Sequence, residues 1–461
     1  MTRSRASGPT FAVCADVGST FTKVAVVDTN DGRLVATAEH PTTVDTDVLH
    51  GLDAAVASAS RDAGVKPSTV YACSSAGGGL RLAVVGYEQL VTAEAGQRVG
   101  LTAGARVVHV AAGPLDRSGV TALAEQAPDV VLLVGGTDGG DSDVLRHNAG
   151  VLARARLAPV GGGRARRRVP VVLAGNVEVR DEVAAVLAQR GTPVIPTANV
   201  LPRIGELNPQ PAREAIREVF LRHVIGGKGL SRGPRFARLV RAATPDAVLT
   251  GVEVLADHLG GDLVVVDIGG ATTDVYSVLS PDPDESAPAR EVAGTLWRTR
   301  TVEGDLGVRW NAPGIVAAAR AERLIDDGSK SRLADAAARR VDDPAYLPTT
   351  ANDHAVDVRL AGLAAVVALR RHARPGRRDL RRVRVLIGSG GVLRHASAAE
   401  SSTLLGAVLT DNAGGWPLPR AAATAVDRDY VLAPAGLLAA DHPRAAVALL
   451  WHHLLALTGV S

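Results

Sequence analysis

Short apolar blocks punctuated by tight polar breaks run through the first forty residues. Phe11 to Asp16 is an apolar run that ends on an aspartate, and the polar loop Gly18, Ser19, Thr20 follows it. A second run, Val24 to Asp28, comes at once. Asn30, Asp31 and Gly32 then turn the chain into a third, near Leu34 to Ala38. Three strand-length runs joined by two close turns predict a β-meander. Val48 to Ala63 has the composition of a helix and is closed by Gly64. Val70 to Ser74 is a further strand, leading into Gly77, Gly78 and Gly79.

The pattern then changes to apolar strands alternating with helices. Val107 to Val110, Val130 to Val134, Val171 to Ala174 and Val194 to Ile195 read as strands, and Ser118 to Gln126 and Val179 to Gln189 as helices. Such alternation predicts an α/β sheet covered by helices. From about Pro209 to Val240 charged, partly helical sequence surrounds Gly226, Gly227, Lys228 and Gly229, and reads as a crossover. At Leu263 to Asp267 the opening pattern returns, with the loop Gly269, Gly270, Ala271, Thr272, Thr273 and the strand Val275 to Val278. Ser280 to Ala289 is a polar turn or insertion, Glu291 to Val302 is strand-like, and Ala312 to Arg340 is helical. The helix Val358 to His372, the strand Val383 to Ile387, the loop Gly388 to Gly391 and a helix from about Val392 complete the half.

One local design therefore occurs twice: strand, aspartate, Gly-rich turn with threonine, strand. In both loops small residues let the main chain turn closely, so amides and hydroxyls can converge on an anion. The candidate phosphate ligands are Gly18, Ser19, Thr20 and Lys23 in the first copy and Gly269, Gly270 and Thr272 in the second. An aspartate beside a phosphate is repulsive unless a cation or its water lies between, which makes Asp16 and Asp267 candidate Mg²⁺-water ligands. Lys23 either neutralises phosphate or points to solvent. A Walker loop or a dinucleotide fingerprint runs from strand into helix, whereas both loops here run from strand into strand. In the third element, Gly388, Ser389, Gly390 and Gly391, a strand does run into a helix, where glycines would let adenine and ribose lie flat on the backbone.

Composition narrows the class further. The chain has 461 residues, 46% hydrophobic and 21% charged, which fits a folded protein of about two domains. Aromatics are only 3%, so Ala, Val and Leu must fill the cores. A net charge of +3 does not imply nucleic acid, and the basic runs Arg164, Arg166 to Arg168 and Arg377 to Arg384 carry no aromatic interleaving. Cys14 and Cys73 lie inside apolar runs and read as buried free thiols. No stretch has the length of a membrane span, and no signal-peptide core follows the N-terminus, so a cytoplasmic protein is expected. The histidines show no metal-binding spacing. Oligomeric state is not legible.

The three loops together are similar to the phosphate-1, phosphate-2 and adenosine motifs of the actin, Hsp70 and sugar-kinase superfamily. Four further segments sharpen the likeness: Val131 to Gly140, Leu173 to Asn176, Arg300 to Gly307 and Leu432 to Leu438. With these the chain resembles the MutL/GlmL-type accessory proteins of glutamate mutase and ornithine aminomutase. The resemblance implies duplicated actin-like ATPase domains of ribonuclease H-like fold, two-lobed with a central nucleotide cleft. The expected limits are 11–208 for the first domain, 209–261 for the crossover, 262–440 for the second domain and 441–461 for a C-terminal helix. It also implies ATP or ADP with Mg²⁺ as cofactors and an adenosylcobalamin-dependent mutase as the partner to be reactivated. An acidic side chain must orient the attacking water. Glu303 and Asp138, each beside glycines after a strand, are the candidates, with Asp141, Asp274 and Asp305 behind them. A small-molecule kinase of the same superfamily is the alternative reading.

Overall fold

The computed structural model describes residues 10–76, 79–155, 157–158, 168–225, 229–280, 297–374, 378–411 and 413–456. Gly77, Gly78, Arg164, Arg166, Arg167, Gly226, Gly227, Lys228 and Arg377 lie outside them, with most of the expected 280–289 turn and the start of the 291–302 strand. The chain falls into two compact units. One holds the described residues up to Val248 together with Ala440–His442. The other holds the described residues from Leu249 to Ala439 and those from Pro443 onward.

The first unit contains strands β1 (Phe11–Val17), β2 (Phe21–Asp28), β3 (Leu34–Pro41), β4 (Thr69–Ser74), β5 (Arg81–Gly86), β6 (Arg106–Ala112), β7 (Val130–Leu133), β8 (Val171–Leu173), β9 (Val194–Pro196) and β10 (Val240–Ala243). Its helices are α1 (Val48–Ala63), α2 (Glu94–Thr102), α3 (Arg117–Glu125), α4 (Asp143–Ala155), α5 (Arg180–Gln189), α6 (Pro209–Val219) and α7 (Arg235–Leu239). Helix α8 (Thr244–Leu259) carries the chain across the division. The first sheet has the order β10-β4-β1-β2-β3. Strands β1 to β3 are mutually antiparallel neighbours, while β4 lies parallel to β1 and β10 parallel to β4. Helix α1 covers this sheet with Leu52, Ala55 and Ala59. Its start is capped by Asp47, which accepts the Leu49 amide at 2.9 Å, and its end by Gly64 at φ 64°.

A second sheet in this unit is fully parallel, in the order β6-β5-β7-β8-β9. Alternate residues serve two cores. Leu82, Val84, Leu132 and Val172 join the core of the first sheet. Ala83, Val85, Val131 and Leu133 face Leu123, Leu145 and Leu187 from α3, α4 and α5. Burial on both faces explains why these strands read as unbroken apolar runs. The sequence pattern indicates four of the five strands; β5 follows the glycine cluster directly and has no turn of its own to mark it.

The second unit contains β11 (Leu263–Ile268), β12 (Thr273–Val278), β13 (Arg298–Glu303), β14 (Val385–Ser389) and β15 (Ala423–Val426). Its helices are α9 (Ala312–Ala321), α10 (Asp327–Asp342), α11 (Ala351–Ala373), α12 (Gly391–His395), α13 (Ala398–Leu409), α14 (Leu432–Leu438) and α15 (Pro443–Leu450). The sheet order is β13-β12-β11-β14-β15, with the same strand directions as the first sheet. Three antiparallel strands followed by two parallel ones, with the first strand central, is the ribonuclease H-like arrangement. It occurs twice, which is the duplicated architecture of actin-like ATPases. The first copy is completed by β10, which the sequence pattern places in the crossover: four residues between two helices give too short a period to stand out. The helical stretch expected from Ala312 to Arg340 is broken into α9 and α10 around Arg323, whose φ is 58°. Among the described residues no helix is long and apolar enough to cross a membrane.

Candidate functional site

Each ribonuclease H-like sheet places one aspartate at the penultimate position of its central strand. On β1, Asp16 lies in register between Lys23 on β2 and Cys73 on β4. On β11, Asp267 lies between Asp274 on β12 and Ser389 on β14. The turn that follows is built alike in both units. Gly18 N–H donates to the Phe21 carbonyl at 3.1 Å, and Gly269 N–H to the Thr272 carbonyl at 2.9 Å. A Cβ on either glycine would stand 2.7 Å from the Phe21 oxygen or 2.9 Å from the Thr272 oxygen, so these positions exclude a side chain. The loop tips are open: Ser19, Thr20, Gly270 and Ala271 are exposed.

The two hairpins differ in how charge is managed. In the first, Lys23 faces Asp16 across the ladder. In the second the facing residue is Asp274, which is held by Arg300: guanidinium Nε donates to Oδ1 at 2.8 Å, and the Thr272 hydroxyl donates to Oδ2 at 3.0 Å. The Arg300 and Asp274 side chains are mostly buried, so the pair neutralises itself where water is scarce. Asp274 is therefore a support for Thr272. The segment after β13 folds over this hairpin. The Arg309 and Trp310 backbone amides donate to the Gly270 carbonyl at 2.9 and 3.0 Å, and the Asn311 side-chain Nδ2 donates to the carbonyls of Ala271 and Gly304, both at 2.8 Å.

Glu303 ends β13, opposite Thr273 in register, beside the second hairpin. Arg371 on α11 donates to it at 2.7 Å and also chelates Asp305 at 2.7 and 2.9 Å. Burial raises the Glu303 carboxyl above its usual range while Arg371 opposes the rise. Asp305 is lowered, chiefly by the hydrogen bonds from Arg371. Two neighbouring carboxylates that share one guanidinium thus have their pKa values pushed in opposite directions.

In the third loop the glycines have separate reasons. A Cβ on Gly390, at φ 104°, would lie 2.2 Å from the Ile268 carbonyl oxygen, and one on Gly388 would lie 2.5 Å from Leu393. Both are fixed by internal packing. A Cβ on Gly391 would meet nothing within 4 Å, so this glycine is not required by internal packing. Ser389 is buried. Close by is a carboxylate without a sequence motif of its own, Asp427. Its amide donates to the Gly388 carbonyl at 2.9 Å, and its carboxylate accepts the Val431 and Leu432 amides at 2.8 and 3.3 Å. Burial pushes Asp427 up to about 6; the two amides oppose this and the charge of Asp267 adds to it.

Asp138 lies in the loop after β7, at the C-terminal end of the parallel sheet. Its Oδ1 accepts the Asn199 amide at 2.9 Å and the Val177 N–H at 3.2 Å. Asn199, itself buried, also donates to the Gly136 carbonyl at 2.9 Å. Asn176 closes the same loop by accepting Gly139 N–H and donating to the Gly140 carbonyl. The carboxylate is committed to holding three loops together, and it lies on neither Asp–Gly–Thr hairpin.

Each hairpin, taken by itself, suits a phosphate and a hydrated cation. Open amides and hydroxyls sit at the turn tips, with a carboxylate one residue before each turn. Among the described residues no three His, Cys, Asp or Glu side chains gather into a metal cage. Single carboxylates fit an ion that keeps several waters and takes the rest of its ligands from phosphate, as Mg²⁺ does. Both cysteines are buried free thiols. Burial pushes the Cys73 thiol well up, so neither the fold nor the charge nearby favours a thiolate.

A family model described as MutL protein matches residues 12–454. Protein MutL of Clostridium tetanomorphum is 34% identical, over 95% of this chain and 98% of its own length. Among solved structures, the chain is similar to acetone carboxylase in its nucleotide-free form, at 16% identity and a TM-score of 0.41 over 94% of this chain and 70% of that one. It is also similar to component A of (R)-2-hydroxyglutaryl-CoA dehydratase from Acidaminococcus fermentans, at 9% identity and a TM-score of 0.30 over 96% and 97%. The fold assignment rests on strand order and direction. The family assignment rests on a match that spans nearly the whole sequence, and by it the chain belongs to the MutL protein family.

Proposed function

We propose that the protein is an ATP-dependent accessory protein that reactivates an adenosylcobalamin-dependent mutase, binding and hydrolysing Mg-ATP. The observation that supports this best is the repetition of one Asp–Gly–Thr hairpin at the same place in two copies of one sheet. Membership of the MutL family supports the mutase as partner.

In the first hairpin Thr20 and Lys23, with Ser19 beside them, are the phosphate-binding residues; in the second hairpin they are Gly269, Gly270 and Thr272. Asp16 and Asp267 would hold hydrated Mg²⁺, which supplies charge neutralisation on the transferred phosphoryl group. Gly391 leaves room for the adenosine. Glu303 orients the attacking water and takes its proton; the raised pKa that burial gives it suits that task. Arg371 keeps Glu303 in place and holds Asp305 ionised. The hydrogen bonds of Asp138 favour a loop-holding role for it over proton transfer.

ATP consumption by the purified chain without any acceptor, and a change in its rate when an adenosylcobalamin-dependent mutase is added, is the expected result. Phosphorylation of a small acceptor with no basal hydrolysis would replace this reading with a kinase. Glu303→Gln should lower turnover by about 10²-fold or more while nucleotide affinity is kept. Unchanged turnover in that variant removes Glu303 from the mechanism.

A further inference from the structure

We propose that Thr244 is the positioning residue of the first hairpin: its hydroxyl fixes the Asp16 carboxylate so that only one oxygen is offered to a cation. This rests on the reading of Asp16 given above and adds a residue that no sequence motif marks.

The geometry is specific. Thr244 Oγ1 donates to Asp16 Oδ1 at 2.6 Å, across 228 positions of sequence. The Cys73 thiol, directly beside Asp16 in the β1–β4 ladder, approaches the same oxygen at 3.6 Å. Both donors use Oδ1. Among the described residues Oδ2 takes no hydrogen bond from the protein. A short hydroxyl-to-carboxylate bond is stronger than a neutral one and removes the rotation that would otherwise exchange the two oxygens. The carboxylate then meets a cation without first being ordered, which is what preorganisation contributes to binding.

Thr244 can do this because its own place is fixed. It follows β10 directly, and β10 lies parallel to β4 with Ala243 beside Ser74, so the strand end delivers it next to Cys73 and Asp16. It opens α8, and Pro245 in the next position presets the helix start. Two residues further on, buried Asp246 is clamped by Arg213 at 2.9 Å and Arg217 at 2.5 Å from α6. Gly104 admits this turn closely; a Cβ there would lie 3.0 Å from the Asp246 nitrogen. A β-branched side chain on so fixed a backbone has few rotamers left. Thr244 itself is half-buried, so losing its hydroxyl leaves no large cavity.

The test is a Mn²⁺ titration of the full chain with ATP, counting free Mn²⁺ by electron paramagnetic resonance, with wild type, Thr244→Val and Thr244→Ser. Calorimetric ATP affinity in EDTA serves as the metal-free readout. The inference expects Thr244→Val to weaken Mn²⁺ binding about tenfold or more. It expects Thr244→Ser to stay within about threefold of wild type, and metal-free ATP affinity to move by less than about twofold in both. Wild-type Mn²⁺ affinity in Thr244→Val overturns it, because Asp16 is then held without the hydroxyl. So does an equal loss in Val and Ser variants together with metal-free affinity, which marks general packing. If the wild-type chain itself shows ATP binding with no metal dependence, the reading of Asp16 falls and this inference with it.

Discussion

Gly390 and Gly391 are neighbours in sequence with opposite physical demands. Gly390 sits at φ 104° against the Ile268 carbonyl, whereas Gly391 faces open space. Gly390→Ala should therefore cost about 2 kcal/mol or more of unfolding free energy, from positive φ and the forced shift of β11. Gly391→Ala should be nearly neutral for stability and weaken adenine nucleotide binding instead. Urea denaturation and nucleotide calorimetry of both variants separate the two effects. Equal stability loss in both would contradict the packing argument. A second residue-scale case is His372, buried between the hydroxyls of Ser277 and Thr301 at 2.8 Å each. Burial, and secondarily the charge of Arg378, holds its imidazole well below its usual pKa. Above pH about 6.5 it is neutral folded or unfolded and makes no pH-dependent contribution. As pH falls below that, the unfolded chain takes up a proton that the folded chain refuses, so stability drops by up to about 1.4 kcal/mol per pH unit. Urea midpoints measured at pH 7.5 and 5.5 should fall more in wild type than in His372→Asn; parallel falls would exclude the histidine.

At the scale of elements, the hairpins were legible because their sequence signal is local. Asp16, Gly18 and Thr20 lie within five residues around one turn, and Asp267, Gly269 and Thr272 within six. The groups that support them come from far along the chain. Thr244 reaches Asp16, Arg300 reaches Asp274, and Arg371 reaches Glu303 only once strands and helices are packed, and no spacing rule announces such partners. Asp427 carries no sequence signal for the same reason: it follows a four-residue strand, and its burial is a property of the sheet. Asp138 shows the converse case: a carboxylate amid glycines after an apolar run reads as catalytic, and its hydrogen bonds to Asn199 and Val177 tie loops together. Asn199 makes that element testable. Asn199→Ala leaves the buried Gly136 carbonyl and the Leu201 amide without their side-chain partner, at a cost of about 1–3 kcal/mol. The loss should fall on the parallel sheet, with hydrogen exchange rising in the loop after β7 and nucleotide affinity unchanged. Coupled loss of ATP binding would place that loop in the nucleotide site after all.

Over the whole molecule the decisive feature is duplication. Two sheets of identical strand order and direction each carry the same turn after the same strand, while the fully parallel sheet occurs once among the described residues. The two turns have diverged in charge, lysine facing Asp16 and an arginine-neutralised aspartate facing Asp267, so their contributions should be unequal and separately measurable. Calorimetric titration of the full chain with ATP, with and without Mg²⁺, in wild type, Asp16→Asn and Asp267→Asn tests this most directly. The account predicts Mg²⁺-dependent binding in wild type that is weakened by at least about tenfold in each variant, with metal-free affinity largely kept. Mg²⁺-independent binding, or wild-type affinity in both variants, would contradict it.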